Sequence, residues 1–356
     1  MVSFKCIIFI FYGDVMYRNN RIRNNKIKKK NMNIFNDKKI IKFLSFLVIF
    51  LIALLAVVAT VYYFHNLNNN SSTIQTSSND FNSTDSSENN LNKTDHTSLE
   101  DSTSENVTFN LAAIGDVMCH NTQYIDAYDK NTGEYDFSYV FDDISFYTKT
   151  ADITVGSLET TFAGEDRGYS NYPNFNSPDA LAYSLKDIGV DVLSTAGNHA
   201  LDMGFSGLSR TIDVLNDADI SHLGTYKSQE ERDKILIKYV KGIKIAFINY
   251  TYGVNGNTIP SDKSYCVNLI DKDLIKKDID AAKQENADII IACMHWGTEY
   301  KTYANSEQKD LADFLFQNGV DIILGNHPHV LEPMEKRTVT LEDRFYKRLF
   351  CNLCFR

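Results

Sequence analysis

Six β-rich runs, each closed by a polar or glycine-bearing loop, recur from residue 107 onward: 107–114, 153–158, 190–195, 243–250, 288–294 and 321–324. Helical patterns lie between several of them. SPDALAYSLKDIG offers Ser177 as N-cap with Pro178 in the first turn, and SEQKDLADFLFQNG stops at a glycine. The stretch 270–287 sets Leu274, Ile275, Ile279, Ala281 and Ala282 near helical spacing. Strands alternating with such helices predict an α/β domain. The run 235–239, a Lys241-Gly242 turn and the run 243–250 read as a hairpin, so the sheets are expected to be mixed. No internal repeat is evident.

Upstream, residues 43–64 contain no charge, and at about 1.5 Å per residue a helix of that length crosses a hydrocarbon core of about 30 Å. The segment before it is rich in Lys and the segment after it has no Lys or Arg. The positive-inside rule therefore puts residues 1–42 in the cytoplasm as a basic N-terminus and the C-terminal part outside the cell membrane. The apolar run is longer than a signal-peptide core and no small-x-small site follows, which favours a single-pass, uncleaved anchor. Met32 is an alternative start. Residues 65–106, dominated by Asn, Ser, Thr, Asp and Glu, read as a disordered tether.

Charge divides along the same boundary. Residues 1–64 hold 11 Lys and Arg against 2 acidic residues, while the remainder holds 25 against 44. An outer part at −19 excludes nucleic acid as a partner, because that binding depends on cations neutralising phosphates. The six cysteines, at 6, 119, 266, 293, 351 and 354, show no disulfide spacing, and no essential disulfide is expected.

Five of eight histidines stand in loops just after the expected strands: His120 in IGDVMCH, His199 in AGNHALDMG, His295 in MHWGTEY, and His327 and His329 in GNHPHV. Ligand sites of α/β sheets form outside the strand carboxyl ends, where distant loops converge. Asp116 and Glu159 follow the first two runs in the same way, and Asn198 adds an amide oxygen beside His199. Each has a plainer role available: Asp116 as a turn cap, Glu159 as a surface ion-pair partner, His295 as a core histidine beside Trp296. Asp202 serves equally as a cap of the following helix that orients His199 or as a ligand. Pro328 biases His327 toward extended backbone, which would put the imidazoles of His327 and His329 on one side of a turn. Together, neutral imidazole and carboxylate donors predict a divalent metal, with Mn, Fe or Zn better suited than Ca.

The ordered motifs GDVMCH, SLETTF, TAGNHALDMG, MHWGTEY and GNHPHVLEP resemble those of the CapA or PgsA family of capsule synthesis proteins, similar in fold to calcineurin-like metallophosphoesterases. The resemblance spans about 108–335. It implies a layered α/β/β/α metallophosphatase-like sandwich with mixed sheets over 107–343, with Asp116, Glu159, Asn198, His199, His295, His327 and His329 on a metal-binding rim. Ordinary metallophosphoesterases carry Asp-x-His at the first strand; here Met118 stands two after Asp116 and His120 two further on, so the number of ions stays open. Residues 344–356, basic and unlike the family pattern, are expected to be an atypical tail from truncation or a frameshift.

Two functions follow from the resemblance. One is a membrane-anchored part of capsule or poly-γ-glutamate biosynthesis and export, whose partners are the membrane, the anionic polymer and membrane polymer-synthase subunits. The other is an extracytoplasmic metal-dependent hydrolase, with His120 or His199 as general acid or base.

Overall fold

The computed structural model describes residues 107–341 and 344–352. The basic N-terminus, the expected anchor at 43–64 and the tether at 65–106 lie outside the described residues. No helix among the described residues is long and apolar enough to cross a membrane. In chain order, β1 (Leu111–Val117) leads through α1 (Asn121–Ala127) and a short ribbon, β2 (Tyr128–Asp129) with β3 (Glu134–Tyr135), to α2 (Asp142–Thr150) and β4 (Ile153–Leu158). Then come α3 (Ala180–Asp187), β5 (Val192–Ser194), α4 (Gly204–Asp217), β6 (Ser221–Leu223), α5 (Gln229–Arg232), β7 (Leu236–Val240) and β8 (Ile243–Thr251). The chain continues with α6 (Lys272–Gln284), β9 (Ile289–His295), α7 (Ser306–Gln317), β10 (Ile322–Asn326), β11 (Met334–Leu341) and β12 (Arg344–Asn352).

One sheet has the order β1-β4-β5-β6 and is parallel throughout. The other has the order β11-β12-β10-β9-β8-β7 and is mixed: β8, β9, β10 and β12 run parallel, while β7 and β11 pair antiparallel at the two edges. Period-two alternation along β8 and β9 divides their side chains between two cores. Ile245, Phe247, Ile289, Ile291 and Cys293 face the first sheet, against Leu111, Val155 and Val192. Ala246, Ile248, Tyr250, Ile290, Ala292 and Met294 face outward and are covered by α6 and α7. On the far side, α3 and α4 cover the first sheet through Leu181, Leu185, Val214 and Leu215. Mixed α/β architecture with helices outside two facing sheets is thus what the alternation dictates.

Local signals mostly act as expected. Lys241 (φ 50°) and Gly242 (φ 83°) form the two-residue turn joining Val240 to Ile243. Asp271 caps α6 by accepting from Leu274 N–H at 2.8 Å, and Asn305 with Gln308 forms a capping box on α7. Ser177 departs from expectation. Its hydroxyl lies 2.6 Å from that of Thr160, and α3 begins only at Ala180, after a tight turn in which Leu181 N–H donates to Pro178 O. A buried hydroxyl partner outcompeted the capping role. Cys119, Cys266 and Cys293 are buried and free.

Candidate metal centre

Parallel strands share an orientation, so the carboxyl ends of β1, β4 and β5 lie along one edge of their sheet and those of β8, β9 and β10 along one edge of the other. Polar contacts join these edges. His327 N–H donates to Asp116 Oδ2 at 3.1 Å, and His295 Nε2 lies 3.0 Å from Asn198 Oδ1. Behind them, Asn249 of β8 accepts Ala196 N–H at 2.7 Å and donates to Cys293 O at 3.0 Å, fixing the loop of Asn198 and His199 to β9. Gly224 (φ 99°) is what lets Asn249 lie there, since a Cβ at this position would overlap its amide oxygen.

Each site side chain is aimed by its element. Asp116 lies inside β1, not in the loop after it, where the register shifts between Ala113 and Asp116. His295 closes β9 on the same face as Ile291 and Cys293, so alternation turns it toward the first sheet. Glu159 follows β4 directly and is 1% exposed. The His327-Pro328-His329 turn is not extended, contrary to the sequence expectation: His327 has φ 95° and His329 φ 55°. Left-handed backbone at two non-glycine residues costs on the order of 1–3 kcal/mol each, a strain that the hydrogen bond from His327 N–H to Asp116 helps to hold. Their ring centroids lie 5.9 Å apart.

Three overlapping ligand groups result, each with one donor atom per residue and all donors within 4.8 Å of one another. They are Glu159 with His295 and His327, Asp116 with Glu159 and His329, and Glu299 with His327 and His329. His329 Nδ1 is 3.1 Å from Asp116 Oδ2, and His295 Nε2 is 3.6 Å from Glu159 Oε1. Asp116 Oδ1, both Glu159 oxygens, His295 Nδ1 and His327 Nδ1 are buried without a hydrogen-bond partner. Burial, reinforced by the charge of Asp116, holds the Glu159 carboxyl well above the usual range. Burial also raises Asp116, but the His329 hydrogen bond and the His327 N–H outweigh it and hold Asp116 below its ordinary value. Burial pushes His295 down to about 3 and, with His329 nearby, His327 down to about 4, so both present neutral imidazole. Buried carboxylate oxygens without donors, facing neutral imidazoles, are the donor set that a divalent cation satisfies.

His199 and His120 stand apart from these three groups. His199 Nδ1 lies 2.7 Å from Asp202 Oδ2, an oxygen that also accepts Phe175 N–H at 2.7 Å. Asp202 therefore orients His199, while Met203 precedes α4 as its cap. The Phe175 ring meets His199 edge-on at 4.8 Å and His120 at 5.2 Å, and His120 is otherwise exposed. Three neighbours went unnoticed in the sequence. Tyr252 follows β8 just as Glu159 follows β4, and its ring lies 4.7 Å from that of His327. Asn255 Nδ2 is 3.3 Å from His199 Nε2, and Glu299 joins the third ligand group. The strand-end rule would have found Tyr252 had it been applied beyond His and acidic residues.

A family model described as bacterial capsule synthesis protein PGA_cap matches residues 110–345. The capsule biosynthesis protein CapA of Bacillus anthracis is 28% identical over 242 residues, covering 65% of this chain and 57% of the relative. The PGA biosynthesis protein CapA of Bacillus subtilis (strain 168) is 36% identical over 153 residues, covering 42% of this chain and 40% of the relative. The chain spans about half the length of the curated relatives it matches. Among solved structures, the Haemophilus influenzae NAD nucleotidase aligns with TM-score 0.40 and 19% identity over 60% of this chain and 38% of its own. A 5'-nucleotidase precursor from Thermus thermophilus aligns with TM-score 0.35 and 17% identity over 57% and 39%. Both likenesses are partial, and neither bears on activity.

Proposed function

The chain belongs to the bacterial capsule synthesis protein PGA_cap family, and from that premise we propose that its domain is the metal-dependent, outward-facing part of a membrane-anchored capsule or poly-γ-glutamate production system. The observation that carries this reading is the convergence of Asp116, Glu159, His295, His327 and His329, with Asp116 Oδ1, both Glu159 oxygens, His295 Nδ1 and His327 Nδ1 buried and unpartnered. These residues, with Asn198, would hold a divalent ion, Mn, Fe or Zn by donor type. A bound ion supplies Lewis acidity and a positive bridge between oxygen ligands. An outer region at −19 repels an anionic polymer, so retention of polymer carboxylates depends on that bridge. The apolar run at 43–64 is the proposed anchor, and membrane polymer-synthase subunits are the proposed partners.

The second reading, an extracytoplasmic metal-dependent hydrolase, is favoured by one observation: the buried His199–Asp202 pair beside the ligand groups. Asp202 orients the ring through Nδ1, and Nε2, approached by Asn255 Nδ2 at 3.3 Å, is the nitrogen that would give or take a proton at a reacting oxygen once Asn255 yields it. Phe175 fixes the ring plane and excludes water from one side of it.

Retention of poly-γ-glutamate by the full-length chain, with and without chelator, tests the first reading. Metal-dependent retention that is lost in the double variant His327→Ala/His329→Ala is expected. Retention indifferent to chelator, or none with metal supplied, contradicts it. Turnover of phosphoesters or of the polymer above the level of His199→Ala supports the second reading, and equal rates reject it.

A further inference from the structure

Glu299 differs from the other candidate ligands in being exposed. It lies in the loop between β9 and α7, which is held on both sides of Glu299. At the start, Gly297 (φ 93°) packs so closely on the Gln308 amide that a Cβ would fall 2.8 Å from Nε2. At the other side, Tyr300 (φ 61°) donates its N–H to Pro328 O at 2.7 Å, tying the loop to the His327-Pro328-His329 turn. The loop therefore presents Glu299 to the two imidazoles in a fixed position.

The outer group shares His327 with one buried group and His329 with the other. A neutral imidazole has one lone-pair nitrogen, because the other carries the proton, so each ring serves one ion at a time. An ion held by Glu299, His327 and His329 thus gives up its place when the rings turn to the buried groups; it is not a lasting addition to them. Burial rises along the same path, from exposed Glu299 through the His329 side chain at 18% to His327 at 3% and Glu159 at 1%. His327 Nδ1, buried and unpartnered, stands at the junction. We infer that Glu299 with His327 and His329 forms a transfer position through which a divalent cation enters and leaves the buried centre. The inference rests on the proposed metal centre. A station on the path lowers the barrier in both directions, so Glu299 governs exchange rates and leaves final occupancy unchanged.

The test is cobalt(II) exchange on the full-length chain in detergent, following uptake by the metal-free protein in stopped flow and release to chelator. Glu299→Gln is expected to slow both by on the order of tenfold at equal final occupancy. Glu307→Gln removes the same charge from an exposed position at the start of α7 and is expected to leave both rates as in the wild type. Unchanged rates in Glu299→Gln, or equal slowing in both variants, would overturn the transfer role while leaving the buried centre intact, and loss of final occupancy in Glu299→Gln would overturn it by making Glu299 a ligand of the centre itself. Failure of the wild type to take up cobalt would overturn the centre and the transfer position together.

Discussion

Two buried polar clusters in this domain meet the cost of desolvation in opposite ways. Beneath α6, Arg232 donates to both oxygens of Asp278 at 3.0 and 2.7 Å, and Tyr250 O–H donates to the same carboxylate. At the strand ends, both oxygens of Glu159 and one of Asp116 have no donor. The first cluster supplies its own counter-charge and can be judged as architecture. In the metal-free fold the second limits that cost by keeping Glu159 protonated, and a cation from outside would let it ionise, which is why it reads as a binding centre.

Removing one partner of the closed cluster gives the largest expected effect. Asp278→Ala leaves Arg232 buried and unpaired and should cost about 3–5 kcal/mol of unfolding free energy, with or without metal, as read by urea titration. The open cluster should behave the other way. Metal at a hundredfold above its dissociation constant stabilises the wild type by about 2.7 kcal/mol, and Glu159→Gln should abolish that increment while leaving the metal-free protein at least as stable.

A pH titration sharpens the contrast. The Glu159 carboxyl is held above its ordinary value, first by burial and then by Asp116, so it ionises in the metal-free fold later than in the unfolded chain. Its contribution to metal-free stability is therefore greatest at low pH and declines as pH rises through the raised value. Metal binding needs the ionised form, so affinity should strengthen across the same window with release of a proton, measurable by calorimetry in buffers of different ionisation enthalpy. Affinity that is flat across that window would contradict the assignment of Glu159. The smallest effect is expected at His199→Ala, which lies outside the three ligand groups and should leave metal content unchanged in elemental analysis.

The α/β class and the mixed pairing were legible in the sequence because their evidence is local, whereas the layering of two sheets was implied only by the family resemblance. The β-rich runs 243–250 and 288–294 and the Lys241-Gly242 turn act over a few residues, and β8, β9 and the β7–β8 hairpin form where they indicate. The strand-end positions of Asp116, Glu159, His295, His327 and His329 were legible too, because parallel strands carry their ends to one edge. What stayed hidden depends on distant partners. Glu299 reaches the histidines through the hydrogen bond from Tyr300 N–H to Pro328 O, and nothing in MHWGTEY announces it. The left-handed backbone of His327 runs against the bias of the following proline and is held in place by Asp116, 211 residues earlier. Pairing of β12 between β10 and β11 is likewise a long-range match that local composition does not signal.

On the proposed function, the open cluster holds a metal ion. Elemental analysis of the full-length chain, purified after supplementation with Mn, Fe and Zn and then dialysed, tests it most directly. At least stoichiometric metal in the wild type and none in Glu159→Gln/His327→Ala is the predicted result. A wild type that emerges without metal, or a double variant that retains the wild-type amount, would contradict it.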